Sequence, residues 1–112
     1  MGDTIATANT PQILRATELN LCLCQLCTEM MTEINYKQLA DLRESYKEFR
    51  MCMMELYYLV RLNKEIKNHV VIKKIGGWKK KSCTNKKIVS DSVEALKLYD
   101  EFSEVLANAK IL

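Results

Sequence analysis

Residues 39–63, LADLRESYKEFRMCMMELYYLVRLN, carry the pattern that decides the fold class. Within them Leu39, Leu42, Tyr46, Phe49, Met53, Leu56, Val60 and Asn63 follow one another at alternating spacings of three and four without a slip. Such positions line one stripe of a helix, and a seam of about four heptads is the mark of helix packed on helix. Read as one helix over residues 36–68, the segment makes a rod of roughly 50 Å at 1.5 Å per residue. A compact chain of this length has a radius of gyration of about 13 Å. Either the helix breaks, or the fold is an elongated bundle, or a partner covers the overhang, and the seam favours the last two. Asn63 is its one polar member, which either fixes register or marks where the seam ends.

Upstream, Thr10–Pro11 reads as a helix start, with Thr as N-cap and Pro at the first helical position, where its missing N–H costs nothing. Residues 1–9 then form a flexible tail. Leu19, Leu23, Leu26 and Met30 make a second helical stripe within a helix over residues 11–34. This stretch is apolar nearly all round, since Leu21, Cys22, Cys24 and Cys27 lie off the stripe, and such a helix is expected to be buried. The two stripes are out of phase, which places a turn near Asn35. A helical hairpin is the simplest outcome, with one long kinked helix as the alternative.

Downstream, Ala95, Leu98, Phe102, Val105, Ala109 and Leu112 predict an amphipathic helix over residues 91–111, and Asp91 with Glu94 resembles a capping box at its start. The connector, residues 69–90, is different in kind. Val70, Val71 and Ile72 favour strand and Gly76–Gly77 signals a turn, so it reads as a basic loop or a small β-hairpin. With only 3 Gly and 1 Pro in 112 residues, turn-rich folds are disfavoured. The expected fold is all-α: one helical domain over residues 10–112, a hairpin plus a C-terminal helix.

Chemistry is sparse. Cys22, Cys24, Cys27, Cys52, Cys83 and His69 are enough ligands for zinc. On a helix, however, Cys22 and Cys24 project roughly 160° apart and cannot grip one tetrahedral ion. Buried packing is the expected role of the cysteines, with redox chemistry a lesser one. His69 is the only histidine, no nucleophile motif flanks it, and neither a phosphate loop nor a carboxylate pair is present, so no enzyme, metal or cofactor is expected. Its expected place is the C-terminal end of the second helix, where the dipole favours a cation.

Charge is unevenly distributed. Lys73, Lys74, Lys79, Lys80, Lys81, Lys86 and Lys87 fall within fifteen residues that contain no acid, whereas residues 1–35 and 91–112 each carry a net −3. Such a patch attracts phosphate or acidic partners, and Trp78 within it is placed to stack on a base. Five cysteines are an odd number, three of them crowded into Cys22, Cys24 and Cys27, which argues against a secreted disulfide framework, and the first twelve residues show no apolar leader. No stretch approaches the roughly 20 apolar residues of a membrane span. The expectation is an intracellular, non-catalytic adaptor or assembly subunit, a homo-oligomer or the partner of another helical protein. Its partner-helix interface is expected at Leu39, Leu42, Tyr46, Phe49, Met53, Leu56, Val60, Asn63, Leu98, Phe102 and Val105. A small nucleic-acid-binding protein using the lysines around Trp78 is the alternative.

Overall fold

The computed structural model describes residues 2–78 and 87–112, with side chains from Pro11 onward. Four helices follow in chain order: α1 (Gly2–Asn35), α2 (Leu39–Val60), α3 (Val70–Gly76) and α4 (Ile88–Asn108), and no strand occurs among the described residues. α1 and α2 form the hairpin, α4 lies mainly on α2, and α3 bridges α2 and α4. The molecule measures 52 × 23 × 20 Å with a radius of gyration of 15.1 Å, against about 13 Å for a compact chain of this length.

The elongation predicted from the seam is present, but its source is α1. The 34 residues of α1 span the long axis, at about 1.5 Å each. The helix runs through Pro11 rather than starting there, and Pro11 has no N–H to donate to the carbonyl four residues earlier. Helix therefore starts at Gly2, within the stretch expected to form a tail.

The break near Asn35 occurs where the phase slips. The Gln38 N–H bonds to the Glu33 carbonyl (2.8 Å) and the Lys37 N–H to the Ile34 carbonyl (3.2 Å), while Lys37 takes φ 56°. This is the paired 6→1 and 5→2 closure that normally uses glycine. α4 ends the same way on Lys110, φ 58°, with Ile111 N–H bonded to Leu106 O at 2.9 Å. Lys37 in the left-handed region explains how the α1–α2 hairpin turns without glycine, and Lys110 does the same for the end of α4.

α2 stops at Val60, eight residues before the expected end. The Asn63 side chain accepts the N–H of Glu65 at 2.9 Å, an Asx turn that competes with the helical ladder. Asn63 therefore marks the end of the seam. Buried Ile66 folds back beneath this turn. His69 then caps α3 at its N-terminus, its Nδ1 accepting the N–H of Val71 at 3.1 Å. That reverses the expected placement, which put His69 at the C-terminal end of a helix.

The stretch beginning Val70–Val71–Ile72 is helical, so the suggested β-hairpin does not form there. The cap supplies a start, and Val71, Ile72 and Ile75 share one buried face. At the other end of α3, Gly76 crosses the Tyr57 ring closely. A Cβ added there would lie 2.6 Å from the Tyr57 hydroxyl oxygen.

The core runs as one cluster from Ala16, Leu23 and Met30 of α1, through Leu42, Phe49, Met53 and Leu56 of α2, to Phe102 and Leu106 of α4. Each fully buried Leu, Met or Phe side chain contributes about 1.5–3 kcal/mol of transfer free energy. On α4 the buried stripe is Ile88, Ser92, Ala95, Tyr99, Phe102 and Leu106. It shares Ala95 and Phe102 with the expected stripe, while Leu98 and Val105 are only half-buried. α4 begins at Ile88 with Lys87 in the cap position and no side-chain cap, so Asp91 lies inside the first turn and the expected capping box is not formed.

Candidate functional site

The residues expected at a partner-helix interface are mostly core. Leu42, Phe49, Met53 and Leu56 are fully enclosed, and Tyr46, Val60 and Phe102 are buried. Leu39 is 37% exposed at the start of α2, and Asn63 is half-buried in its turn. The helices that the seam packs on belong to the same chain, α1 and α4, so these positions offer little to a second molecule. Met54 and Tyr57, which lie off the seam, are partly covered, Tyr57 by Gly76.

The basic patch is also less open than its charge suggests. Trp78 is half-buried against the core, and the Arg50 guanidinium stacks 4.9 Å from its ring centre. Asp91 and Glu94 line the same small cleft. Lys74 lies 3.9 Å from Glu101. Lys73 and Lys87 are exposed, and Lys79, Lys80, Lys81 and Lys86 lie outside the described residues.

What stands open is the outer face of α1. The inner stripe, Ala16, Leu19, Leu23, Leu26, Met30 and Glu33, is buried. Offset from it by two residues runs a second stripe of the same spacing: Leu14, Thr17, Leu21, Cys24, Thr28 and Met31. Two residues correspond to about 160° around the helix axis, so the second stripe faces away from α2. Leu14 is 60% exposed, Leu21 62% and Met31 56%. No member of the stripe is ionisable as a carboxylate or an amine. The hydroxyls of Thr17 and Thr28 donate back to the carbonyls of Ile13 (2.9 Å) and Cys24 (3.3 Å). With their donors satisfied internally, these threonines present methyl groups at little desolvation cost. Burial all round is the expectation for α1, but α4 touches it only lightly, reaching Asn20 and Cys24 at one edge, and leaves Leu14, Leu21 and Met31 open.

The rims of the face are acidic. Glu18, 67% exposed and shared with Arg15, and exposed Glu29 flank one side. On the other side Tyr99 anchors α4, its hydroxyl donating to Asn20 Oδ1 with the Cys24 sulfur 3.4 Å away. Burial, followed by Cys24 and then Cys27, raises the Tyr99 hydroxyl pKa. Exposed Asp100 and Glu104 continue that rim one turn apart. Burial first, then the charges of Cys24 and Asp100, push the Cys27 thiol up to about 11. Near the end of the face, Arg15 also grips Glu55 of α2 through two bonds, one of 2.9 Å from Nη2, which lowers the Glu55 carboxyl pKa. An open groove of about 460 Å³ at the end of the bundle has a mixed lining, with Ile13, Tyr58, Leu62 and Ile111 beside Gln12, Asn63 and Lys110.

Among the described residues no cluster of three or more His, Cys, Asp or Glu side chains could hold a metal ion. None of the helices they form is long and apolar enough to cross a membrane. No protein-family model matches the chain, and neither a curated protein nor a solved structure shows significant similarity to it.

Proposed function

We propose that the protein is a non-catalytic helical adaptor or assembly subunit that captures an amphipathic helix of a partner on the outer face of α1. The observation that carries this reading is the uncharged stripe with Leu14, Leu21 and Met31 each more than half exposed. A contiguous apolar strip edged by polar groups is what helix-in-groove recognition uses. The acidic rims, Glu18 and Glu29 on one side and Asp100 and Glu104 on the other, select a partner helix whose edges are basic. They also oppose an antiparallel pairing of two copies through this face, since that would bring like-charged rims together.

The test uses two synthetic amphipathic helices with the same leucine stripe, one edged by lysine and one by glutamate. Fluorescence titration is expected to show binding of the lysine-edged helix, weakening as salt is added. Leu21→Glu is expected to lower that affinity about tenfold or more, and because Leu21 is 62% exposed the core is left intact. Equal binding of both helices, or binding indifferent to Leu21→Glu, would sink the proposal. Light scattering of the chain alone should return the 13.0 kDa monomer. A larger mass that Leu21→Glu disperses would instead identify a second copy as the occupant.

The lysine-rich segment has weaker support as a nucleic-acid site. Trp78 is half-buried beneath Arg50 and shares its cleft with Asp91 and Glu94, which repel phosphate.

A further inference from the structure

We propose that Cys22 and Cys52 form a thiol–disulfide site, which a small disulfide of the glutathione class closes into a bridge between α1 and α2. The two sulfurs lie 3.7 Å apart across the hairpin, contributed by facing positions on the two helices. Both residues are half-buried, so the pair is reachable from solvent while held by its neighbours. Rotation about the side-chain bonds has to bring the sulfurs to about 2 Å. The site is independent of the outer face of α1.

The hydrogen bond sets the order of events. Cys52 donates its S–H to Cys22, so Cys22 is the sulfur with its lone pair supported. Cys22, as thiolate, attacks one sulfur of the small disulfide. The sulfur–sulfur bond of the reagent breaks, and one small thiol leaves and takes up a proton. Cys52 then loses its proton to solvent and attacks the Cys22 sulfur, expelling the second small thiol. The two protein thiols are oxidised together, and the reagent is reduced to two thiols. Burial, reinforced by the bond to Cys22, pushes the Cys52 thiol up to about 11. Closure therefore accelerates as pH rises toward that value.

The experiment incubates the reduced full-length chain with oxidised glutathione at several pH values and maps the products by intact mass and peptide analysis. The expected product has lost two hydrogens, yields a linked peptide joining Cys22 to Cys52, and forms faster at higher pH. The bridge constrains the unfolded chain, and the expected rise in Tm is about 10 °C. Cys52→Ser should trap glutathione on Cys22, and Cys22→Ser should leave Cys52 unmodified. The proposal is overturned if glutathione accumulates on Cys24 or another cysteine with no linked Cys22–Cys52 peptide. A bridged product of lower Tm than the reduced chain overturns it equally, because thiols built to join do not strain the fold when they do.

Discussion

Ser92 shows how finely the inner surfaces of this bundle are poised. Its side chain is completely enclosed on α4, and its hydroxyl has no hydrogen-bond partner. A buried hydroxyl left unpaired carries its desolvation cost without return, and alanine is the better helix former. Ser92→Ala is therefore expected to raise stability by about 1 kcal/mol, read as an upward shift of the urea midpoint at constant slope. Tyr99 is the opposite case. Its ring meets Phe49 edge-on at 5.9 Å, and its hydroxyl finds Asn20 across the helix interface. That bond explains why the α4 stripe is rotated from the one expected. Leu98 and Tyr99, like Val105 and Leu106, are adjacent apolar residues, so spacing alone could not choose between them. The choice fell to a polar contact with α1 that no periodicity encodes.

At the scale of the elements, the α1–α2 turn was legible because two strong stripes cannot share one continuous helix out of phase. Its chemistry was not legible, since nothing in the composition marks Lys37 as a left-handed residue. A non-glycine residue in that region costs about 1–2 kcal/mol. Lys37→Gly is expected to recover about 1 kcal/mol, less the entropy glycine adds to the unfolded chain, measured by thermal denaturation. The end of α2 and the start of α3 were hidden for a related reason. Both depend on single side chains, Asn63 and His69, bonding to backbone two residues on. The β-branched run at Val70 argued for strand, yet a cap and a buried face outweigh that propensity. The outer face of α1 was present in the sequence as a second stripe at the same spacing. Spacing alone does not mark it as open, because an all-round apolar helix is ordinarily an enclosed one, and α1 is enclosed on one side only.

For the molecule as a whole, α2 is the hub. It packs along α1 and beneath α4 and touches α3, whereas α1 and α4 scarcely meet. Opening either outer helix alone leaves the remaining pair in contact, while opening α2 dissolves the core. Amide hydrogen exchange is therefore expected to be slowest around Phe49, Met53 and Leu56, with faster exchange through α1 from Leu14 toward Gly2. Uniform protection of all four helices would contradict this layering. The elongated shape was legible from the seam, but the overhang belongs to another helix, because Asn63 stops α2 early while α1 continues through Pro11.

The two stripes of α1 have no residue in common. A substitution at Leu14, Leu21 or Met31 changes what the molecule displays without altering what holds it together, and one at Leu19, Leu23 or Leu26 does the reverse. Inheritance can thus act on the two independently. The display side is free to drift, to be retuned or to be copied onto another scaffold, while the folding side stays under unchanged selection.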